Sequence, residues 1–228
     1  GARTLDKDIE KIEEKRNIKF ETKQIEAIRT AVTKGLLVLT GGPGTGKTTT
    51  INGILELYEK QKLRVLLAAP TGRAAMRMSE VTGRKAKTIH RLLEVEWGDG
   101  DRQIFTRNLE NPLEADAVIV DELSMVDTHL FACLLNALPL GCRLIMVGDA
   151  DQLPPVGAGN VLQDIIASEL LPTVALTEIF RQSMESLIVT NAHSIVKGEY
   201  PDLSRTDKDF FFMQRGGVAS TAETVTEL

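Results

Sequence analysis

The sequence predicts an α/β fold with a mostly parallel sheet flanked by helices. Short apolar runs recur along the chain, each continuous instead of alternating, as strands buried on both faces require. Helical stretches lie between them, and that alternation favours a parallel sheet. A glycine-rich loop closes the first run and opens a helix, the setting of a phosphate-binding loop.

In chain order, residues 5–17 read as a charged amphipathic helix, and 1–19 as a peripheral segment. Residues 36–40 form the first strand candidate and 47–60 the helix after the glycine-rich loop. A strand at 64–69 and a helix at 72–81 repeat the unit. Residues 94–107 break the rhythm: Gly98-Asp99-Gly100-Asp101 parts two β-prone stretches, which reads as a small inserted hairpin. Strands at 117–121, 143–148 and 173–176 alternate with helices at 128–138 and 160–168. Beyond Gly198, Pro201 and a polar stretch stop the pattern, and residues 209–213 begin a new strand followed only by a short helical piece at 221–228. Residues 20–200 therefore read as one sheet domain carrying the 94–107 hairpin, and 201–228 as the start of a truncated second domain. Opening at Gly1 instead of Met, the chain reads as cut or processed.

Composition bounds the function. The chain has 228 residues, 43% hydrophobic and 26% charged, enough for a folded core and against disorder. No apolar run approaches the roughly 18 residues of a membrane span. The first residues lack the basic-then-apolar pattern of a secretory signal, so a cytoplasmic home without a membrane partner is expected. Cys133 and Cys142 are the only cysteines, which excludes a disulfide scaffold or a cysteine-built zinc site. Aromatics at 4% argue against a stacking platform for bases. Net charge is −5, yet residues 60–91 hold nine Lys and Arg against the single acid Glu80. That segment can form a local basic track on an acidic protein, or a set of merely solvated helix faces.

Gly41-Gly42-Pro43-Gly44-Thr45-Gly46-Lys47-Thr48 matches the full P-loop pattern. Its backbone N–H groups can turn onto phosphate oxygens, with the following helix N-terminus adding positive potential. Lys47 is placed to reach the β- and γ-phosphates and Thr48 to bind Mg²⁺. Asp121-Glu122 ends an apolar strand; Asp121 suits the Mg²⁺ side and Glu122 a base that deprotonates attacking water. The bland alternative is a pair of exposed acids. The segment Gly148-Asp149-Ala150-Asp151-Gln152-Leu153-Pro154-Pro155 follows another strand, and Gln152 can sense a γ-phosphate or simply belong to a proline-ended loop. His129 and His193 have no metal-ligand spacing.

Together these segments resemble the superfamily 1 DNA helicases, most closely the RecD-like branch (superfamily 1B). Phe20-Glu21-Thr22-Lys23-Gln24 is similar to the Q motif, residues 41–49 to motif I, Ala69-Pro70-Thr71-Gly72-Arg73-Ala74-Ala75 to motif Ia, and Lys87-Thr88-Ile89-His90-Arg91-Leu92-Leu93 to the next DNA-side motif. Asp121–Met125 is similar to motif II, residues 148–155 to motif III, and Leu176-Thr177-Glu178-Ile179-Phe180-Arg181-Gln182 to motif IV. The resemblance implies a RecA-like motor domain that uses ATP and Mg²⁺. Gly42, Pro43, Gly44, Thr45, Gly46, Lys47, Thr48 and Thr49 would then cradle the nucleotide and Gln24 would bond its adenine. Gln152 would couple the γ-phosphate to the DNA path, and Arg181 would stabilise transition-state charge. Pro70, Thr71, Arg73, Thr88 and His90 would line a single-strand path, reading phosphate and sugar and not bases. The alternatives, each the lesser reading, are a structural histidine beside a Thr88 helix cap for His90, a helix-face residue for Gln24 and a surface one for Arg181. The hairpin falls where the family carries a pin that meets the duplex junction, through Trp97 or the Gly98–Gly100 turn, although its acids Asp99 and Asp101 also fit mere decoration.

Movement 5′→3′ along single-stranded DNA, duplex unwinding and a role in repair or recombination follow from the same resemblance. Motifs V and VI, with a second RecA-like domain in cis, are missing from the sequence. The chain by itself is therefore expected to bind Mg·ATP weakly and to hydrolyse it poorly. Two other classes stay open: another P-loop enzyme, or a nucleotide-gated DNA-binding module. A GTPase would be expected to carry Asn-Lys-x-Asp, which the sequence lacks.

Overall fold

The computed structural model describes residues 1–151 and 159–180. The chain divides into two compact units, Gly1–Ile179 and Phe180–Leu228; the elements below belong to the first. Gln152, Arg181, the prolines Pro154 and Pro155, His193 and all of 201–228 lie outside the described residues.

The unit opens with α1 (Ala2–Arg16) and α2 (Thr22–Lys34), then β1 (Leu36–Gly41), α3 (Lys47–Lys60), β2 (Val65–Ala69), α4 (Gly72–Thr82), β3 (Ala86–Thr88) and the single turn α5 (Ile89–Leu92). A hairpin of β4 (Val95–Trp97) and β5 (Gln103–Phe105) follows. The order then runs β6 (Ala117–Val120), a short 3-10 turn (Leu123–Met125), α6 (Thr128–Ala137), β7 (Arg143–Gly148), α7 (Val161–Ser168) and β8 (Thr173–Leu176). The sheet order is β3-β2-β6-β7-β1-β8, and every pairing in it is parallel. The α/β expectation holds, and the hairpin forms its own two-stranded antiparallel sheet.

Both faces of the sheet are covered, which explains the unbroken apolar runs. Leu37, Leu39, Ile119, Ile145 and Val147 pack on one face with Ile28, Ala31, Ile54 and Leu55 of α2 and α3. Val38, Val118, Val120, Leu144 and Met146 pack on the other with Leu130 and Leu134 of α6 and Leu162 of α7. The N-terminal helix adds Ile9 and Ile12 to the first core, and Arg16 pairs with Glu56 of α3 at 2.6 Å. Helix α2 and strand β3 are absent from the expected set. Strand β3 is three residues of mixed polarity, Ala-Lys-Thr, half-exposed at the sheet edge, so it gives no apolar run. Among the described residues no helix is long and apolar enough to cross a membrane.

One buried polar knot ties α3 to the end of α2. The Tyr58 hydroxyl donates to the Ala31 carbonyl at 2.6 Å, and the Arg143 guanidinium donates to Ala31 and Val32 carbonyls at 3.3 and 2.8 Å. Burial pushes the phenol up to about 12, so it remains a donor at any ordinary pH. Tyr58→Phe should cost about 1 kcal/mol, because Arg143 still partners the Ala31 carbonyl. A lower urea midpoint with unchanged slope is the expected record of that loss.

Candidate active site

The parallel register brings the C-terminal ends of the strands to one edge. Thr40 pairs with Gly148, Gly41 with Leu176, Val120 with Met146, and Ala69 with Thr88. The loop after each strand therefore emerges on the same side, where ligands bind in open α/β sheets. The glycine-rich loop leaves β1, the acid pair leaves β6, and the two DNA-side motifs leave β2 and β3. β7 lies between β1 and β6, so loop and acids face one another across a single strand.

The loop has the backbone its glycines permit: Gly44 and Gly46 sit at φ 75° and 86°, a region that disfavours side chains with a Cβ. Gly41 is held for a different reason, since a Cβ there would stand 2.4 Å from Thr45 Oγ1. Thr45 is buried and its hydroxyl donates to the Gly42 carbonyl at 2.7 Å, closing the loop on itself. Lys47 Nζ donates to the Gly42 carbonyl at 3.1 Å and to the Gly41 carbonyl. The ammonium thus rests in the mouth of the loop, where phosphate oxygens can replace those carbonyls. Thr48 and Thr49 are half-buried in the first turn of α3.

Gln24 is 2% exposed and sits behind the loop. Its Oε1 accepts from the Glu21 N–H at 2.8 Å, completing the capping box that starts α2, and its Nε2 donates to the Gly46 carbonyl at 3.1 Å. The residue therefore links the N-terminal segment to the loop's backbone. Phe20 reinforces the contact: a Cβ on Gly53 of α3 would lie 3.0 Å from its ring.

Asp121 continues the β6 ladder by donating its N–H to the Ala68 carbonyl at 2.9 Å. Although the residue keeps some exposed surface, its carboxyl is crowded by protein. Burial first, and the neighbouring Glu122 charge second, push it up to about 6; the Glu122 N–H at 2.7 Å, Lys47 and Arg77 pull the other way. Glu122 stands in the left-handed region at φ 54°, which costs a non-glycine residue on the order of 1–3 kcal/mol. From that turn its Oε1 accepts from Arg77 NH1 at 3.4 Å. Arg77, on α4, counts in the sequence only as one of the nine cations of 60–91, with no role at the site. The signal was its spacing of four from Arg73, which puts both on one helix face.

The DNA-side residues fall on the neighbouring edge of the sheet. Thr71 is the N-cap of α4, accepting from the Ala74 N–H at 3.1 Å; Thr88 caps α5, accepting from the Arg91 N–H at 3.2 Å. Pro70 is half-buried and Arg73 exposed. The half-buried His90 ring lies 5.8 Å from the Phe105 ring at 50°, so it joins the motif to the base of the hairpin. The basic strip is not uniform. Arg84 pairs with Glu59, Lys60 with Asp8, Arg64 with Asp116 and Arg77 with Glu122. Lys62, Arg73, Lys85, Lys87 and Arg91 are exposed and carry no ion pair among the described residues; of these, Arg73 and Arg91 follow the C-terminal ends of β2 and β3. Trp97 of the hairpin is 66% exposed.

Comparison with known proteins agrees with this geometry. Over 166 residues the chain is 48% identical to the ATP-dependent RecD2 DNA helicase of Deinococcus radiodurans, an alignment covering 73% of this chain and 22% of that protein. Over 201 residues it is 39% identical to the RecBCD enzyme subunit RecD of Mycobacterium tuberculosis, covering 77% of this chain and 34% of that one. The chain thus spans between a fifth and a third of the length of these curated relatives. The Pif1 helicase of Candida albicans superposes with a TM-score of 0.51 at 26% identity, over 82% of this chain and 46% of that one. Two coordinating Pif1 helicases at forked double-stranded DNA give 0.51 at 23%, over 82% and 50%, a likeness of fold. The RecD-like resemblance of the motifs is matched by these relatives. A family model described as an AAA domain matches residues 24–158, more than half of the sequence, and the chain belongs to that family.

Proposed function

We propose that the chain is the ATP-binding motor half of a DNA helicase that hydrolyses ATP, moves 5′→3′ along single-stranded DNA and unwinds duplex in repair or recombination. One observation carries this reading: the phosphate loop, the acid pair and the unpaired Arg73 and Arg91 all follow the C-terminal ends of strands in one parallel sheet. Nucleotide chemistry and a phosphate-binding track then share a rigid frame.

In the reaction, the oxygen of a water molecule bonds to the γ-phosphorus as the bond to the β-bridging oxygen breaks, leaving ADP and phosphate. Glu122 takes the proton released by that water. Lys47 leaves the Gly41 and Gly42 carbonyls for the β- and γ-phosphate oxygens, while the loop N–H groups hold the phosphate chain. Thr48 and Asp121 offer hard oxygen donors, and the weakened acidity of Asp121, buried beside a second carboxylate, favours a cation there. Mg²⁺ bound there would neutralise charge developing on the phosphates. Gln24, Gln152 and Arg181 keep their proposed roles toward adenine, γ-phosphate coupling and transition-state charge. Thr71, Arg73, Thr88, His90 and Pro70 form the strand path, and the 94–107 hairpin meets the duplex junction. In this reading residues 20–200 are the motor domain, and 201–228 begin a second RecA-like domain. The setting is the cytoplasm, at the nucleoid.

Titration of an oligo-dT strand into the full-length protein at several salt concentrations tests the track. Affinity should fall steeply with salt, and Arg73→Ala should lower the slope by roughly one. ATP hydrolysis should rise when the strand is added. Salt-independent binding, or hydrolysis indifferent to DNA, would favour another kind of P-loop enzyme; DNA binding gated by ATP without turnover would favour a nucleotide-gated module.

A further inference from the structure

We propose that Arg77 is a positioning residue that restrains Glu122 in the DNA-free state and gives it up when a strand phosphate takes the guanidinium. The inference rests on the reading of Glu122 as the base and of the β2–β3 edge as the strand path.

The two groups form an ion pair placed between the two halves of the edge. Arg77 lies one turn beyond Arg73 on α4, the helix capped by Thr71, whereas Glu122 follows β6 beside the phosphate loop. The contact is loose: 3.4 Å from NH1 to Oε1, against about 2.7–2.9 Å for a tight charge-assisted bond. The guanidinium is under-used as well. Its Nε is buried and has no hydrogen-bond partner, while the side chain as a whole stays 37% exposed. A group with spare donors, a long bond and an open side can be drawn off by an oxyanion at modest cost.

Glu122, in contrast, is fixed at its backbone. Its N–H is bonded to Asp121 Oδ1 at 2.7 Å and its φ of 54° is set by the turn, so only the side chain is free to change partner. While Arg77 NH1 holds Oε1, the carboxylate is kept turned toward α4. Drawing the guanidinium off leaves the side chain free to turn to the attacking water. In this arrangement strand binding activates hydrolysis through one side chain, without requiring any movement of the sheet. The α4 face supplies the drive: Arg73 is exposed one turn away, so a phosphate chain laid along that face passes close to Arg77.

The test compares wild type, Arg77→Gln and Arg77→Lys in the full-length protein. ATP hydrolysis is measured with and without an oligo-dT strand, and strand affinity is measured against salt without nucleotide. Arg77→Gln should raise DNA-free hydrolysis several-fold and bring the stimulation ratio toward one. It should also lower the salt slope of strand binding by roughly one. Arg77→Lys, keeping a cation but not the fork, should fall between. An unchanged or lower DNA-free rate in Arg77→Gln with the stimulation ratio intact would overturn the restraint, as would an unchanged salt slope. A wild type that does not hydrolyse ATP, or a Glu122→Gln variant that hydrolyses at the wild-type rate, sinks the underlying reading instead. A circular-dichroism melt within a degree or two of wild type excludes misfolding as the cause of any change.

Discussion

Glu122→Gln lowers the rate of ATP hydrolysis by about 10²–10⁴-fold, the usual worth of a positioned base, and leaves nucleotide affinity unchanged. The two halves of that expectation have separate physical grounds. The rate falls because an amide cannot take the proton of the attacking water, whatever its position. Affinity is spared because the groups that would hold the phosphates do not depend on this side chain. Lys47 is bonded to the Gly41 and Gly42 carbonyls, Thr45 closes on Gly42, and Gln24 on Gly46. Glutamine also keeps the shape of glutamate and can still accept from Arg77 NH1. The left-handed turn at residue 122 is therefore not disturbed. Phosphate release under saturating ATP reads the first half, and titration with a fluorescent ATP analogue reads the second. A variant that hydrolyses within a few-fold of wild type would remove Glu122 from the reaction; one that no longer binds nucleotide would make it part of the cradle.

The legibility of this site in the sequence varied with the kind of signal. The P-loop could be read because its glycines are required by backbone angles, such as the φ of 86° at Gly46, and such requirements leave fixed spacings. The central strands could be read because burial on both faces leaves an unbroken apolar run. Strand β3 could not, since a three-residue edge strand buries too little to show. The Arg77–Glu122 pair was hidden for another reason: its partners are 45 residues apart, and only the crossover between β2 and β6 brings them together. Charge counting misled in the same way. Residues 60–91 sum to a strongly basic segment, yet Lys60, Arg64, Arg77 and Arg84 are paired with acids that the fold brings in from elsewhere. Local pattern recovers what is enforced locally; pairings between distant segments need the topology.

Asp121→Asn should make the nucleotide-free domain more stable while abolishing hydrolysis supported by Mg²⁺. Folding lifts this carboxyl from 3.8 to about 6, mainly by burial and next by the charge on Glu122. A carboxyl raised in the folded state binds its proton more tightly there than in the unfolded chain. Stability therefore falls as pH rises between about 4 and about 6, and the penalty is complete above that window. At about 1.4 kcal/mol per unit, the shift bounds the penalty at about 3 kcal/mol, and partial relaxation leaves about 1–3 kcal/mol to be recovered by the neutral side chain. Asparagine retains an oxygen for the Glu122 N–H and so keeps the turn. Thermal or urea unfolding of the two forms should diverge at pH 7–8 and converge near pH 4, a pH signature that a simple packing gain would not produce. Saturating Mg·ATP should narrow the gap at neutral pH, since a bound cation relieves the wild-type carboxylate and leaves nothing to relieve in the variant. A variant less stable than wild type at pH 7 would mean that Lys47 and Arg77 already outweigh burial at this carboxylate. Such a site would have no free energy in reserve for a metal ion. The instability of the empty acid pair and its affinity for a cation are thus one electrostatic quantity, measured without the ion and with it.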